Sequence, residues 1–206
     1  MTSCNNPRLA SIGLAACLLL AACGGVPSKQ AAAPAMPAGP PASREARAQF
    51  DDALDLLRGK RYAEAAAALQ GMTQAYPDLP GPYLNLAIAY LRLDRAGEAE
   101  QPVRRALELK PNDAEAYNLL GLLHRETGNF VEARADYEQA LKLDPQFADV
   151  HLNLAILLDL YLEQPQSALE HYERYQEMAG AEDKQVKLWI TDLKQRIPAA
   201  AAGGGS

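Results

Sequence analysis

Histidine and cysteine are the side chains with which this chain could do chemistry, and it has three of each. A helix can bind a metal ion through two ligands four residues apart, but the residues at that distance from His171 are Ser167 and Tyr175. We therefore expect His171 to lie on a solvated helix face. No G-x-S-x-G, H-E-x-x-H or phosphate-binding glycine loop occurs in the sequence. The sequence predicts a protein that is not an enzyme and has no metal site, cofactor or small-molecule substrate.

The balance of charge argues against a nucleic-acid partner. The chain has 20 lysine and arginine residues against 26 aspartate and glutamate residues, a net charge of −6. An acidic domain is a poor ligand for DNA, RNA and anionic lipid headgroups. No basic run interleaved with aromatic residues offsets this charge, so we expect no nucleic-acid binding.

One cysteine stands at the end of an apolar segment near the N-terminus. The segment, Leu9–Ala22, is about 14 residues long, which is too short to span a membrane but is the length of a signal-peptide core. It ends in the sequence LAAC, with Cys23 last, and this resembles the lipobox of bacterial lipoproteins. The resemblance implies that residues 1–22 are removed, that Cys23 carries fatty acids such as palmitate, and that several acyl chains hold the protein on a membrane. A plain secretory signal and an uncleaved anchor are the alternatives.

The residues after this cysteine indicate a destination and a tether. Two glycines follow Cys23, and in lipoproteins this implies the outer membrane, here with the protein facing the periplasm. Residues 23–43 are rich in proline and alanine, so we expect an extended tether between the acylated cysteine and the folded domain. Residues 198–206 are of low complexity and are predicted to be a disordered tail. No second cysteine would remain for an intramolecular disulfide.

The middle of the chain repeats every 34 residues. Pro77, Pro111 and Pro145 are 34 apart, and an alanine recurs at the same interval: Ala65, Ala99, Ala133. A period of this length indicates stacked helical hairpins, none of which buries its apolar face alone. The sequence therefore predicts an array that holds other proteins.

The copy at residues 114–145 resembles the tetratricopeptide repeat (TPR). The residues that carry the resemblance are Tyr117, Leu120, Gly121, Ala133, Tyr137, Ala140 and Pro145. Further copies begin at Ala46 and Pro80, and a fourth begins at Ala148 with a one-residue insertion near Tyr161. His124 and His151 occupy slots that an aromatic residue usually fills, so we expect them to pack in the core. The resemblance implies an all-α fold, a right-handed α-solenoid of about four TPR hairpins over residues 44–181.

Local signals support the same hairpins. Each copy is divided by a helix-breaking segment around Gly59, Gly97 or Gly128, where glycine or asparagine can adopt the left-handed conformation. The prolines after each second helix end it. After the repeats, residues 182–197 are predicted to form a capping helix whose apolar face holds Val186, Trp189, Ile190, Leu193 and Ile197.

The first helix of each copy carries a second apolar face, which in this family lines a concave groove. Counting from the start of each copy, positions 5, 9 and 12 lie together on a helical wheel, with position 6 beside them. The predicted partner-binding residues are Phe50, Leu54, Leu57, Leu84, Asn85, Ile88, Leu91, Asn118, Leu122, Arg125, Leu152, Asn153 and Ile156. An exposed apolar strip usually marks an interaction site. The alternative is that these side chains pack between repeats or under the proline-rich linker and extend the core.

The expected partners are apolar or helical segments of other envelope proteins. Some TPR domains clamp a C-terminal carboxylate with lysine, arginine and asparagine, but Phe50 and Glu115 occupy the lysine-type slots here. The combination of a lipid anchor with TPRs distantly resembles type IV pilus pilotins, which implies a role in pilus or secretin biogenesis. The alternatives are a scaffold for peptidoglycan hydrolases or proteases and an accessory of a TonB/ExbB-like energised complex. The general hypothesis is a membrane-anchored, non-catalytic adaptor.

Overall fold

The computed structural model describes residues 43–180 and 183–197, and the regular structure in these ranges consists of nine α-helices. The first eight form four hairpins, and the ninth follows them. Their bounds are α1 Arg44–Arg58, α2 Tyr62–Ala75, α3 Pro80–Arg92, α4 Ala96–Leu109, α5 Ala114–Glu126, α6 Phe130–Leu143, α7 Ala148–Leu160, α8 Pro165–Met178 and α9 Lys184–Arg196. Each helix packs on the next along the chain, and the first helices of neighbouring hairpins also contact each other. The all-α solenoid of TPR-like hairpins is confirmed.

The turn inside every hairpin contains one residue with positive φ, at the same place in each repeat. These residues are Lys60 (φ 58°), Asp94 (58°), Gly128 (81°) and Glu163 (52°). The expectation that glycine or asparagine would take this conformation is correct only in the third repeat, because Gly59 has a φ of −75° and Gly97 lies inside α4. The last turn has one residue more than the others, which confirms the insertion near Tyr161.

The core of each hairpin requires small residues where its two helices meet. Ala53, Ala87 and Ala155 are fully buried at the equivalent position of three repeats. The third repeat has Gly121 there, and a Cβ atom on Gly121 would lie only 2.6 Å from the ring of Tyr137. Tyr137 is itself fully buried, and this burial raises the pKa of its hydroxyl. Gly121 is therefore a glycine because the tyrosine ring occupies the space of its side chain.

The ninth helix covers the end of the stack. Asp183 caps it by accepting hydrogen bonds from the backbone N–H groups of Gln185 and Val186. Val186 and Leu193 are fully buried, and Trp189, Ile190 and Ile197 pack against the same core, as the sequence predicts. Lys184, Lys187 and Lys194 are exposed, so the helix presents a charged surface to solvent.

Several predictions fall outside the described residues. They concern the signal peptide at 1–22, the lipidated Cys23, nearly all of the tether at 23–43 and the tail at 198–206. Within the described ranges, no helix is both long and apolar enough to cross a membrane.

Candidate protein-binding groove

The predicted groove residues lie on the first helices of the four hairpins, α1, α3, α5 and α7. The 34-residue period places position 5 of each helix in one row and positions 9 and 12 in two further rows. Because these first helices contact one another, the rows run side by side along one face of the stack. What differs along the rows is how deeply each side chain is buried.

Four of the predicted groove residues are core residues. Phe50, Leu54, Leu84 and Asn85 are between 0 and 6% exposed. Phe50 is enclosed because its ring lies against the backbone of Gly81 in α3, where a Cβ atom would come within 3.1 Å of the ring. The expectation that these four side chains lie exposed in a groove does not hold, because they are buried in the free protein.

The other nine predicted groove residues are half-buried. They are Leu57, Ile88, Leu91, Asn118, Leu122, Arg125, Leu152, Asn153 and Ile156. Six are aliphatic, and together they form the partly accessible remainder of the rows. We call this set the open groove. That a partner binds there remains a prediction.

Two asparagines join neighbouring helices within the open groove. The Asn153 side-chain amide donates to the Asn118 side-chain oxygen at 2.9 Å, across α7 and α5. This bond uses one N–H of Asn153 and one oxygen lone pair of Asn118. Asn153 keeps its amide oxygen and Asn118 keeps both amide hydrogens, which are the groups that a peptide backbone pairs with.

Position 12 of the third and fourth repeats holds a charged residue, Arg125 and Asp159 respectively. The Arg125 side chain is 15% exposed and lies 3.4 Å from the carboxylate of Glu126. The Asp159 side chain is 7% exposed and accepts a hydrogen bond from Arg196 of α9 at 2.9 Å. This ion pair ties α9 to α7 and occupies Asp159, so Arg125 is the more available of the two charges for a partner.

The last helix carries an exposed leucine at a position equivalent to one of the groove rows. Asp183 caps α9 in the same way that Asp113 caps α5, and the buried Val186 and Leu193 correspond to the buried Ala116 and Leu123. This register makes Leu188 position 5 of α9, and Leu188 is 64% exposed. The N-cap aspartate shared with α5 was the sequence signal for this register.

The three histidines form two contacts inside hairpins. His124 is 8% exposed and lies 2.6 Å from Asp136 through Nδ1, and burial raises the pKa of Asp136 while the histidine partly offsets this. His151 is also 8% exposed, so packing of both residues is confirmed. The expectation that His171 faces solvent is wrong, because it is half-buried and lies 2.8 Å from His151. Within residues 43–180 and 183–197, no three metal-ligating side chains come together.

Family models of the tetratricopeptide repeat match residues 56–123 and 114–147. Tetratricopeptide repeats are therefore recognised in this chain. Among curated proteins, the human protein O-mannosyl-transferase TMTC3 is 32% identical over 116 residues, which are 56% of this chain and 12% of that protein. The chain spans about a tenth to a quarter of the length of the curated relatives that it matches first. The transferase name thus belongs to a much longer protein.

Solved structures of TPR proteins resemble the solenoid. PilF of Pseudomonas aeruginosa superposes with a TM-score of 0.66 at 24% identity, over 74% of this chain and 70% of that one, and this likeness shows the fold alone. The first TPR domain of Spaghetti (RPAP3), bound to an HSP90 peptide, superposes with a TM-score of 0.55 at 25% identity. That match covers 57% of this chain and 94% of the other. The TPR scaffold is suited to binding peptides or proteins.

Proposed function

We propose that this protein is a membrane-anchored, non-catalytic adaptor of the bacterial envelope that binds other envelope proteins through the open groove. The observation that carries the binding function is the Asn118–Asn153 bridge, which lies on the same face as the half-buried Leu122 and Ile156. Apolar side chains can accept a partner's side chains, and the amides can pair with its backbone. The ligand that fits is an extended or helical segment with apolar side chains.

The anchor and the location rest on the sequence before the repeats. The LAAC motif at Cys23 supports lipidation, and the two glycines after it support the outer membrane with the domain in the periplasm. Assembly of a pilus or secretin complex is the role that we propose first. A C-terminal carboxylate clamp is not proposed, because Asn85, the asparagine in a suitable slot, is fully buried.

The groove is tested by introducing charge at two of its half-buried positions. We expect the double variant Ile88→Glu, Leu122→Glu to retain its helical circular dichroism and cooperative melting, because both side chains already contact solvent. Capture of envelope proteins cross-linked to the wild type should fall at least about ten-fold, since a bound partner would desolvate both carboxylates.

The matched control for this experiment is Val131→Glu, which adds a carboxylate at a site that is 74% exposed and outside the rows. It should leave both helicity and capture unchanged. Loss of helicity in the double variant would show that the two positions are core and would reject the open groove. Retained capture would reject the groove as the binding site while leaving the fold intact.

The anchor is tested separately with Cys23→Ser. Acyl transfer requires the thiol, so we expect the variant to take up no labelled palmitate and to accumulate as the uncleaved precursor. Normal processing with no label in either form would instead indicate a plain secretory signal. Label that persists in the variant would reject acylation at Cys23.

A further inference from the structure

The contact between His151 and His171 has a defined proton arrangement. His151 Nε2 lies 3.2 Å from the backbone oxygen of Pro145, in the loop before α7. A carbonyl oxygen only accepts, so Nε2 carries the proton and His151 Nδ1 presents a lone pair. His171 Nδ1, 2.8 Å away, therefore donates to His151 Nδ1. In the second repeat, the hydroxyl of Tyr83 makes the equivalent bond to the oxygen of Pro77 at 3.2 Å.

The two rings are arranged to share a proton rather than to bind a metal ion. Their centroids lie 5.1 Å apart, which is the Nδ1–Nδ1 distance plus about one ring radius at each end. The two nitrogens therefore point straight at each other. Ligands of one metal ion would have to converge on a point beside this line. The contact is a linear N–H···N bond that links α7 to α8.

Few neighbouring charges would stabilise a protonated His171. Glu138 on α6 favours the imidazolium, but Arg134 on α6 and Arg174 on α8 oppose it, and so does His151 on α7. Glu138 is also paired with Arg134 at 2.7 Å, and Arg174 lies 3.4 Å from Glu177. A proton added to His151 must enter at Nδ1, where it would face the N–H of His171. Protonation of the pair therefore has one of two results. It places a positive charge at a half-buried site where the neighbouring groups disfavour it, or it breaks the hydrogen bond between the two rings.

We propose that the His151–His171 pair is an acid-sensitive latch: it holds the last hairpin closed at neutral pH and releases α8 and α9 when the compartment is acidified. The release is local, because the terminal repeat of a solenoid can open while its neighbours remain folded. The proposal does not depend on the groove or on the proposed function. It assigns a regulatory role to a contact between two helices of one hairpin.

The direction of the pH effect follows from the difference between the closed and open hairpin. Burial, followed by the nearby His151, lowers the pKa of His171 from about 6.5 to about 4. Well above pH 6.5 neither state binds the proton, and the latch has its full effect. As the pH falls from about 6.5 towards 4, the open hairpin takes up a proton that the closed hairpin excludes, so the closed state loses stability.

Hydrogen exchange of the full-length chain at pH 7 and pH 5 tests the latch. After correction for intrinsic exchange rates, we expect protection of α8 and α9 amides to fall about ten-fold more than that of α3 and α4 amides. His171→Asn removes the titrating group and should abolish the excess loss. His171→Asp places a carboxylate opposite His151 Nδ1, which favours protonated His151, so the loss of protection should be reversed in this variant.

Two outcomes would overturn the proposal. One is a uniform loss of protection along the stack, and the other is an undiminished loss in α8 and α9 of His171→Asn. If the variants fail to fold, titration of the wild-type histidines by nuclear magnetic resonance decides the matter. A midpoint for His171 below about 5 supports the latch, and any higher midpoint overturns it, because the two states would then bind protons too similarly.

Discussion

The two halves of the groove face use the same positions of the repeat for different purposes. In the first two repeats, Phe50 and Leu84 at position 5 are 2 and 3% exposed. In the last two repeats, Asn118 and Leu152 at position 5 are half-buried, and α9 adds Leu188 with 64% of its surface exposed. The N-terminal half uses this row to hold helices together, and the C-terminal half leaves it available. Recognition by this protein is therefore expected to be concentrated toward α5 and α7.

For Phe50, the cause of the burial can be traced to the residue that faces it. Gly81 has no side chain, so the Phe50 ring can lie directly on the backbone of α3. Gly81 accounts for Phe50 alone, because the equivalent residue facing Leu84 is the exposed Glu115 and Leu84 is nevertheless buried. Position in the repeat fixes the direction of a side chain, whereas the neighbouring helix decides whether it is covered.

The strongest test of this comparison introduces the same charge at the same position of two repeats. Leu84→Glu would bury a carboxylate with no cationic partner, and we expect it to lower the free energy of unfolding by about 3 kcal/mol or more. Leu152→Glu should cost about 1 kcal/mol, because its side chain already reaches solvent. Urea unfolding of both variants measures the difference. Equal losses would show that the two halves do not differ in burial, and the concentration of binding in the C-terminal half would lose its basis.

The fold follows from the sequence to a large extent because a 34-residue period is a global signal. Three prolines in register predict where α2, α4 and α6 end, and the insertion near Tyr161 correctly predicts a longer last turn. Gly121 was expected at a close helix contact, and Tyr137 is the side chain that requires it. Repetition makes each of these predictions strong, since one register must satisfy all copies.

The groove and the histidines were predicted less well, because both depend on neighbours in space. A helical wheel gives the angle of Phe50 and Leu84 but not the distance to the next helix. His171 was compared with residues four away on its own helix, whereas its partner, His151, lies 20 residues earlier on α7. Glycine or asparagine is the residue expected at the left-handed position of each turn, but three of the four repeats have lysine, aspartate or glutamate there. In each case the geometry of packed helices outweighed the local preference.

The smaller test extends the comparison from side chains to the backbone of the turns. The N-terminal half has Lys60 and Asp94 at positive φ, whereas the third repeat has Gly128 at the same place. A residue with a Cβ atom is strained in this conformation, although aspartate tolerates it better than lysine. We expect Lys60→Gly to raise the free energy of unfolding by about 0.5–1 kcal/mol, and Asp94→Gly to raise it by less.

Gly128→Ala is the matched reverse change, because a Cβ atom there meets no other atom within 4 Å and only the backbone conformation is tested. It should lower the free energy of unfolding by about 1 kcal/mol, measured by urea unfolding at pH 7. If Lys60→Gly destabilises the protein instead, the extra conformational entropy that glycine gives the unfolded chain outweighs the relief of strain. If the signs are as expected, the N-terminal half combines a tighter groove face with more strained turns. Packing of buried residues such as Phe50 and Leu84 would then offset that strain.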